Sequence, residues 1–458
     1  MELGNKRIAV VGLGRSGVSV CRFCAGRGAV VLGIDDSPRE RFAADTARGL
    51  EALGVELHLG GKPADRLAAM DLVVISPGVP PSDAIDAADA AGVPVVAEVE
   101  LASWYLEAPL IGITGTNGKS TVTGLVHAMM SAMGRPTFVG GNYGTPLIEA
   151  VGTDAGSAGG VLVVELSSFQ LERVRRFRPR VAVLLNLTED HLDRYPTMAT
   201  YVAAKGNIFI AQQPDDHAVA DGDDPLSVSL ARASRARFHR FGSRDGEVRL
   251  DGDVLVDLGA ADGPVRYPAD LLRIEGEHNR SNACAAILAA RLAGATPDAI
   301  RQGLASFGGL PHRMQRVAEV AGVVFFNDSK ATNVGATVAA LRGLDRKVVL
   351  ILGGHDKGGD YAPLRPLLED KVREVVLIGE AADLIETALS GAARFTRAHD
   401  MSDAVVRCAA AARPGDAVLL APACSSFDMY RNFMERGDDY RRAVLQLAAA
   451  PARGREGE

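Results

Sequence analysis

Short apolar runs alternate with segments of helical periodicity along most of the chain. Before Glu107 the apolar runs are RIAVV, AVVLGID, DLVVISPG and VPVVAEV, and turn residues separate them from the helical segments. A second series starts at EAPLIGITG and continues with VLVVEL and VAVLLNL. A third series follows Pro311, with apolar runs near VVFFND, VVLILGG, EVVLIG and DAVLLAPA. Repeated strand, turn and helix predicts parallel sheets that are covered by helices on both faces.

The chain has 458 residues, which is too long for a single hydrophobic core. We therefore predict an α/β protein of three domains: a Rossmann-like domain at 1–107, a P-loop ATPase-like domain at 108–311 and a second Rossmann-like domain at 312–458. Ligands of such open sheets bind beyond the carboxyl ends of the strands. The residues that follow each strand are therefore the candidate site residues.

Composition and charge exclude several classes of protein. The formal net charge is −7, whereas a nucleic-acid surface needs clustered Lys and Arg. No apolar stretch approaches the roughly 20 residues of a membrane span, and the chain starts without a secretory signature. Cys21 and Cys24 form a CxxC pair on a predicted helix, where packing against the sheet is favoured over redox chemistry. We predict a cytoplasmic enzyme that binds no nucleic acid and does not span a membrane.

A glycine-rich turn with Gly12, Gly14 and Gly17 lies between the first strand and the first predicted helix. Such a turn at a helix N-terminus binds a pyrophosphate through backbone N–H groups. In an NAD-dependent oxidoreductase the acidic residue at the end of VVLGID would be the ribose ligand. Because NAD and UDP-sugars both carry a pyrophosphate, the motif by itself does not choose between them.

A second phosphate loop, GITGTNGKST at 112–121, lies between the strand PLIGIT and the helix STVTGLVHAMM. In such a loop backbone N–H groups face the phosphates, the lysine neutralises the β/γ charge and the Ser hydroxyl can reach Mg²⁺. Ile113 occupies the position where the usual motif has its first glycine. The strand–loop–helix context still predicts a triphosphate site made by Gly115, Thr116, Asn117, Gly118, Lys119, Ser120 and Thr121.

An acidic side chain and an imidazole follow the next two apolar runs of this series. Glu165 ends the run VLVVE, and His191 follows VAVLLN. The acidic neighbours of His191 are Glu189, Asp190 and Asp193. Such groups at strand ends beside a phosphate loop are placed to bind the Mg²⁺ that accompanies a nucleotide. Lys205 shares a helix face with Tyr201, and its pattern alone predicts an ordinary surface or snorkelling lysine.

Polar or glycine-rich runs follow apolar ones in the third series as well. These runs are GLPHRMQ, NDSKATN, GGHDKGGD and PACSSFDMYRNFMERG, and they carry the cations Arg313, Lys330 and Lys357. A single run of this kind is a weak signal, because most are ordinary loops. Several in one domain, most of them at strand ends, predict a binding face for anionic ligands.

Taken in order, these motifs resemble those of the Mur ligases, ATP-dependent amino-acid ligases of peptidoglycan precursor synthesis. The matching segments span nearly the whole chain: GITGTNGKST, VELSSFQL, NLTEDHLDRY, EGEHNRSN, GLPHRMQ, NDSKATN and LGGHDK. Within the family the chain is most similar to the members that add D-glutamate to UDP-N-acetylmuramoyl-L-alanine. The N-terminal GLGRSG turn and the C-terminal APACSSFDMYRNFMERG segment carry this similarity. The members that add L-alanine are the nearest alternative.

The resemblance implies which residues bind the sugar nucleotide and the amino acid. The UDP diphosphate and the uridine would lie against the first turn and the end of the second strand, and the muramoyl-alanine part against the central domain. The implied contacts of this substrate are Gly14, Arg15, Ser16, Asp35, Asp36, Asn142 and Gln170. The implied contacts of D-glutamate are Thr332, Lys357, Ser426 and Phe433. The first turn would then hold UDP and not NAD.

The resemblance also implies how ATP would be used. Lys119 would contact the β/γ-phosphates, and the substrate carboxylate would become an acyl phosphate before the amine of D-glutamate attacks it. The implied catalytic residues are Lys119, His191, Lys205 and Lys330. The implied adenine contacts are Asn279 and Asn282, and the implied ATP contacts from the third domain are Arg313, Asp328 and Lys330.

Two Mg²⁺ sites follow from the same resemblance. Ser120 and Glu165 would hold the first ion, and His191 would hold the second. In the family the lysine that matches Lys205 is carbamylated by CO₂, which places an anion beside the metal.

Because the substrates are divided among three domains, we expect the third domain to close before chemistry. We also expect a monomer.

Two other classes of function stay open at this stage. An NAD-dependent oxidoreductase would explain the first turn but leaves the second phosphate loop and the third domain without a role. A nucleotide-binding switch or scaffold would explain the second loop. Such a switch needs no second metal, so Glu165, His191 and Lys205 argue against it.

Overall fold

The structure of the protein is a computed structural model. It describes residues 2–449 apart from 41, 189–193, 243, 275–276, 357 and 359. Contacts within the chain divide it into two compact units, Met1–Phe307 and Gly308–Glu458. The described residues form three sheets, of which two lie in the first unit and one in the second.

The first sheet is built from the N-terminal residues. Its strands are β1 (Arg7–Val11), β2 (Val30–Asp35), β3 (Glu56–Leu59), β4 (Leu72–Ile75) and β5 (Val95–Ala97). The helices that follow them are α1 (Arg15–Ala25), α2 (Ala44–Glu51), α3 (Ala64–Ala68), α4 (Asp83–Ala90) and α5 (Glu98–Ser103). The order is β3-β2-β1-β4-β5, and the paired strands are parallel. The turn after β1 therefore lies at the crevice where the strand order reverses.

The second sheet contains the phosphate loop. Its strands are β6 (Leu110–Thr114), β7 (Thr137–Gly141), β8 (Val161–Glu165), β9 (Val181–Leu184), β10 (His217–Asp221), β11 (Arg237–Gly242), β12 (Val248–Asp251), β13 (Val254–Asp257) and β14 (Val265–Pro268). Its helices are α6 (Lys119–Ser131), α7 (Ser168–Leu171), α8 (Met198–Gly206), α9 (Pro225–Ala233), α10 (Glu277–Leu292) and α11 (Pro297–Ser306). The order is β14-β13-β12-β11-β10-β9-β6-β8-β7, with antiparallel pairing only where β12, β13 and β14 meet in the described part.

The strand β6 lies between β8 and β9 in this sheet. Ile113 of β6 pairs with Glu165 on one side and with Val183 on the other. The strands are apolar on both faces because helices cover the sheet on both sides. The loop after β6 is therefore flanked by the carboxyl ends of β8 and β9. The predicted metal ligand Glu165 ends β8, and the predicted ligand His191 follows β9 in the sequence.

A buried carboxylate joins the two sheets of the first unit. Glu100 on α5 is 1% exposed and accepts hydrogen bonds from the backbone N–H groups of Arg175, Arg176 and Phe177 at 2.8–3.0 Å. Trp104 Nε1 donates to the same carboxylate at 3.0 Å. Because the residues 175–177 lead into β9, this carboxylate fixes α5 against the second sheet.

The third sheet forms the second unit. Its strands are β15 (Gln315–Val320), β16 (Val323–Asn327), β17 (Val348–Gly353), β18 (Val372–Ile378), β19 (Phe395–Arg397) and β20 (Ala417–Leu420). Its helices are α12 (Val334–Arg342), α13 (Arg365–Lys371), α14 (Ala382–Ala388), α15 (Met401–Ala411) and α16 (Phe433–Ala449). The order is β15-β16-β20-β17-β18-β19, and β15 alone among these described strands is antiparallel to its neighbour. Apolar clusters cover both faces of the sheet.

The predicted α/β class with three sheets is confirmed. The domain boundaries at 107 and 311 stay predictions. Cys21 and Cys24 are buried on α1, as the packing interpretation expects. In the described residues we find no helix that is both long enough and apolar enough to cross a lipid bilayer.

We expect Glu100→Ala to lower the free energy of unfolding of the first unit by at least about 3 kcal/mol, because it leaves buried backbone N–H groups without an acceptor. Trp104 is the only tryptophan of the chain, so its fluorescence during urea unfolding reports this region. Glu107→Ala removes an exposed carboxylate nearby and serves as the control. Equal midpoints for the two variants would contradict the role assigned to Glu100.

Candidate active site

A cleft of about 390 Å³ opens at the carboxyl end of the first sheet. The residues predicted to contact UDP all line it: Gly14, Arg15, Ser16, Asp35 and Asp36. The opposite wall is the loop of residues 76–80 after β4. The structure thus brings together in one cleft the residues that the family resemblance implies for the UDP part of the substrate.

The glycine-rich turn is held by close backbone packing. Gly12 has φ +84°, and a Cβ added at Gly17 would lie 1.9 Å from the carbonyl oxygen of Gly12. Asp35 accepts hydrogen bonds from the N–H groups of Leu13 at 2.7 Å and Ser37 at 2.9 Å. Although partial burial opposes the shift, these hydrogen bonds and the charge of Lys62 hold the pKa of Asp35 below its ordinary value. Asp35 is therefore an ionised group that shapes the turn.

The side chain of Arg15 reaches from this cleft to the second sheet. Its guanidinium donates to the carbonyl of Gly144 at 2.8 Å and to Thr145 Oγ1 at 3.3 Å. Gly144 and Thr145 belong to the loop after β7, which also carries Asn142. Arg15 therefore connects the predicted diphosphate turn with the loop that is predicted to contact the muramoyl-alanine part.

The phosphate loop itself depends on two glycines with positive φ. Gly115 has φ +150° and Gly118 has φ +83°. A Cβ at Gly118 would lie 2.3 Å from Asn282 Oδ1, so the first turns of α10 approach the loop closely. Asn282 Nδ2 also donates to Asn279 Oδ1 at 3.1 Å. The predicted adenine contacts and the predicted phosphate loop are therefore neighbours.

Two lysines converge on one carbonyl of this loop. Lys119 Nζ donates to the carbonyls of Gly115 at 3.0 Å and Thr116 at 2.7 Å. Lys205 Nζ donates to the same Gly115 oxygen at 2.8 Å and lies 4.8 Å from the centre of the Tyr201 ring. Lys205 is 2% exposed. The interpretation of Lys205 as a surface lysine was therefore wrong, because α8 packs its last turn under the loop.

Glu165 lies beside this loop at the end of β8. It is 2% exposed, and its Oε1 accepts a hydrogen bond from Asn142 Nδ2 at 2.7 Å. Its Oε2 is buried and has no hydrogen-bond partner among the described residues. A buried carboxylate oxygen without a donor, beside a phosphate loop, suits a divalent cation. Ser120, the other predicted ligand of this ion, is buried on the first turn of α6.

Two predicted residues of the first unit remain, Gln170 and His191, and the structure describes only the first of them. Gln170 is 1% exposed and uses its Oε1 in a capping box with Ser167 at the start of α7. Its Nε2 is buried without a partner among the described residues, so it can donate to a ligand. His191 and its acidic neighbours lie outside the described residues. Within the described part, no three His, Cys, Asp or Glu side chains form a metal-ligating group.

In the second unit, predicted residues follow β16 and β20. Lys330 Nζ lies 4.4 Å from the centre of the Phe433 ring, and Ser426 is buried. The backbone N–H of Thr332 donates to the Lys330 carbonyl at 2.8 Å. Asp328 is buried as well and accepts from the backbone N–H of Met314 at 3.2 Å. Lys357 lies outside the described residues.

Arg313 is exposed on the turn that leads into β15. Its neighbours His312 and Met314 have φ +61° and +41°, which is an uncommon backbone region for residues other than glycine. The strained turn is held by Asn327, whose Nδ2 lies 3.1 Å from His312 Nδ1. Sequence reasoning missed this support because His312 and Asn327 meet only in the folded sheet.

Arg194 is a second residue that the motifs did not single out. It donates to Glu172 Oε2 at 2.8 Å and to the carbonyl of Val79 at 2.9 Å, and it lies 4.4 Å from the Phe169 ring centre. It thereby joins the stretch that follows His191 to the loop after β4. Its place in the run DHLDRY was the only signal that could have indicated it.

Models of three Mur ligase domains match the chain. They are the Mur ligase MurD-like N-terminal domain at 6–97, the Mur ligase middle domain at 113–290 and the Mur ligase glutamate ligase domain at 312–424. The order of these matches follows the order of the three sheets. The chain belongs to the Mur ligase family, which confirms the resemblance drawn from its motifs.

Two relatives that match almost the whole chain carry the same name. A protein of Anaeromyxobacter dehalogenans named UDP-N-acetylmuramoylalanine–D-glutamate ligase is 46% identical over 462 residues, covering 98% of this chain and 99% of the relative. A protein of the same name from Geotalea daltonii is 43% identical over 458 residues, covering 99% and 100%. The crystal structure of UDP-N-acetylmuramate-alanine ligase from Thermotoga maritima has a TM-score of 0.56 at 19% identity, covering 96% and 100%, which supports the fold.

Burial raises the pKa of Asp328 to about 6, against the opposing hydrogen bond from Met314 and the charge of Arg313. The folded chain holds the proton of Asp328 more tightly than the unfolded chain does. The contribution of this group to the free energy of unfolding is therefore fully present below the ordinary pKa of about 4, and it is lost as the pH rises through about 6. The loss amounts to about 3 kcal/mol. We expect Asp328→Asn, which cannot ionise, to gain stability relative to the wild type between pH 4.5 and pH 7.

Differential scanning calorimetry at the two pH values measures this change. The quantity compared is the difference in melting temperature between the variant and the wild type. Asp370→Asn, at an exposed position of the same unit, is the control and should show the same difference at both pH values. A difference for Asp328→Asn that does not change with pH would refute the raised pKa.

Proposed function

We propose that the protein is an ATP-dependent ligase that joins D-glutamate to the L-alanine carboxylate of UDP-N-acetylmuramoyl-L-alanine and releases ADP and phosphate. The observation that carries the proposal is the convergence of Lys119 and Lys205 on the Gly115 carbonyl, with Glu165 at the end of the adjoining strand. The names of the two full-length relatives support the choice of substrates. Both nucleotide substrates belong to the cytoplasm, where we place this step of peptidoglycan precursor synthesis.

A carboxylate is a poor electrophile, so the reaction needs two steps. In the first, an oxygen of the L-alanine carboxylate attacks the γ-phosphorus of ATP, the bond to the β-phosphate oxygen breaks and ADP leaves. In the second, the amine of D-glutamate attacks the acyl carbon of this acyl phosphate, a C–N bond forms, and the C–O bond to the phosphoryl group breaks. The amine attacks in its neutral form, and its nitrogen loses one proton, which passes to the departing phosphate.

The phosphate loop of residues 115–121 would bind the triphosphate in the first step. Its backbone N–H groups and the N-terminus of α6 would face the phosphates, and Lys119 would turn its ammonium from the loop carbonyls toward the β/γ-phosphates. Asn279 and Asn282 would contact the adenine beside the loop. Charge that is fixed before the reaction stabilises the transition state without reorganisation at the moment of phosphoryl transfer.

Two Mg²⁺ ions belong to this proposal. Ser120 and Glu165 would hold the first, which fits the partnerless Oε2 of Glu165, and His191 would hold the second. Bound Mg²⁺ neutralises phosphate charge and reduces the repulsion between the carboxylate and the nucleotide. Asn142 donates to Glu165 Oε1 and so orients the carboxylate for the ion.

Lys205 is proposed to react with CO₂. Its Nζ would form an N–C bond to CO₂ and lose a proton, so that a carbamate anion replaces the ammonium. The burial of Lys205 and its contact with the phosphate loop support a role at this site rather than at the surface. A carbamate here would add negative charge to the proposed metal site.

The sugar nucleotide would lie in the cleft of the first sheet. Gly14, Arg15 and Ser16 would contact the diphosphate, and Asp35 and Asp36 would lie near the uridine. Asn142 and Gln170 would contact the muramoyl-alanine part. The buried Gln170 Nε2 supports this role, because it is a donor without a partner among the described residues.

The second unit would supply the remaining contacts. Arg313, Asp328 and Lys330 would contact ATP, and D-glutamate would lie against Thr332, Lys357, Ser426 and Phe433. The position of Lys330 over the Phe433 ring supports the placement of these two groups of contacts side by side. The monomeric state expected from the sequence stays a prediction.

Release of ADP tests the proposed function. We expect it only when UDP-N-acetylmuramoyl-L-alanine, D-glutamate, ATP and Mg²⁺ are all present, because the second step needs the amine. Replacing D-glutamate by L-alanine, L-glutamate or diaminopimelate should leave little turnover. A coupled assay for ADP, with mass spectrometry of the peptide product, measures both. Turnover with another amino acid in place of D-glutamate would overturn the assigned specificity.

We expect Lys205→Ala to reduce turnover at least about a hundredfold, the size of effect seen when one stabilising group is removed from an active site. Wild-type activity should fall in CO₂-depleted buffer and return with bicarbonate, whereas the variant should not respond. Lys371→Ala is the matched control, because Lys371 donates to the carbonyl of Leu344 away from the site. If Lys205→Ala kept full activity at every bicarbonate concentration, the carbamate would be excluded.

A further inference from the structure

Arg436 is the largest fully buried side chain among the described residues, and none of the predicted roles includes it. It lies on the first turn of α16 and is 2% exposed. Arginine is seldom buried to this degree unless it is paired. The sequence FMERG does not predict this burial, since Arg436 directly follows the charged Glu435. In the structure both Met434 and Glu435 are exposed.

The guanidinium holds two loops at the carboxyl end of the third sheet. Nε donates to Ser329 Oγ at 3.0 Å and Nη2 donates to the Ser329 carbonyl at 3.0 Å. Nη2 also donates to the carbonyl of Cys424 at 3.1 Å, and Nη1 donates to that of Ser425 at 3.1 Å. The planar fork of one side chain therefore sets the spacing between the loop after β16 and the loop after β20.

This charge is held by neutral oxygens. Among the described residues no carboxylate oxygen lies within 4.0 Å of the guanidinium, so it has no ion-pair partner there. Burial lowers the pKa of Arg436 to about 10, against the opposing charge of Asp428. Burying a cation among neutral acceptors is costly compared with an apolar side chain of similar size. Apolar packing alone would not need an arginine here.

Two of the residues that Arg436 contacts, Ser329 and Ser425, are next to residues of the proposed site. Ser329 lies between Asp328 and Lys330, and Ser329 Oγ itself donates to the carbonyl of Phe433 at 2.8 Å. Ser425 precedes Ser426 directly. Arg436 also approaches Gly354 closely, since a Cβ there would lie 3.0 Å from Nη1 and 2.2 Å from the Ser425 carbonyl oxygen. The segments that carry Ser329, Ser425 and Gly354 therefore all lie close to the guanidinium.

We infer that Arg436 is a positioning residue that fixes the Ser426 and Phe433 side of the D-glutamate subsite against the Lys330 loop. It acts through Ser329 and Ser425 and does not itself touch a substrate. The inference rests on the proposed function, because the subsite it positions is the proposed one. A lysine at this position keeps the charge but cannot reach both loops with one planar fork.

Steady-state kinetics of Arg436→Lys in the full-length chain tests the inference. We expect KM for D-glutamate to rise about tenfold while KM for UDP-N-acetylmuramoyl-L-alanine changes less than twofold, since the proposed contacts of that substrate lie in the first unit. A residue that serves folding alone would lower kcat by reducing the active fraction and would leave both KM values unchanged. The split between the two KM values therefore separates positioning from stability.

Arg373→Lys is the matched control. Arg373 pairs with Asp416 at 2.8 and 3.1 Å at the amino end of the same sheet, far along the strands from the proposed subsite. This variant should lower the melting temperature and leave both KM values within twofold of the wild type. An equal rise of KM for D-glutamate in both variants would overturn the inference, because it would then report general loosening of the sheet.

Ser329→Ala decides the question if Arg436→Lys does not fold. It removes the acceptor of Arg436 Nε and should raise KM for D-glutamate about threefold without changing that of the sugar nucleotide. Unchanged KM values for D-glutamate in a folded Arg436→Lys or in Ser329→Ala, with an active wild type, overturn this inference alone. A wild type without activity toward D-glutamate overturns the proposed function, and the inference falls with it.

Discussion

The ammonium groups of Lys119 and Lys205 donate to the same carbonyl oxygen of Gly115 at the end of β6. Like charges this close repel each other, and burial makes each of them costlier, so a stable arrangement needs anions beside it. Glu165 ends the neighbouring strand, and under the proposed function the phosphates of a bound nucleotide would supply such anions. The positions of α6, α8 and α10 are all constrained by this loop, because each contributes a side chain to it.

Buried charged groups also fix the spacing of elements elsewhere within each of the two units. Glu100 binds the backbone of residues 175–177 and so fixes the first sheet relative to the second. Arg436 does the same between two loops of the third sheet. In both cases one charged side chain satisfies several buried backbone groups at once, which gives a defined geometry that apolar contacts alone do not impose. Such geometry is what the proposed reaction between three substrates requires.

Local patterns were sufficient for the strands at the centre of each sheet. β1, β6, β16 and β17 are unbroken apolar runs because helices cover both of their faces, and the motifs after them lie at strand ends as predicted. Edge strands such as β3, β15 and β19 are partly polar and only half covered, so their pattern does not differ from that of a loop. The extension β11–β14 was not predicted, because its strands interleave charged residues with apolar ones, as in RFHRFG and VRLD.

The sequence by itself determined the α/β class, the phosphate loop and the family, because these depend on neighbours along the chain and on the order of motifs. The tertiary structure alone decided that Lys205 is buried under Gly115, that Arg15 reaches the loop of Asn142, and that Arg436 joins the loops of Ser329 and Ser425. Each of these contacts joins residues far apart in the chain. Periodicity and spacing describe only what lies within a few turns of a residue, whereas burial and partner choice depend on which elements the fold packs together.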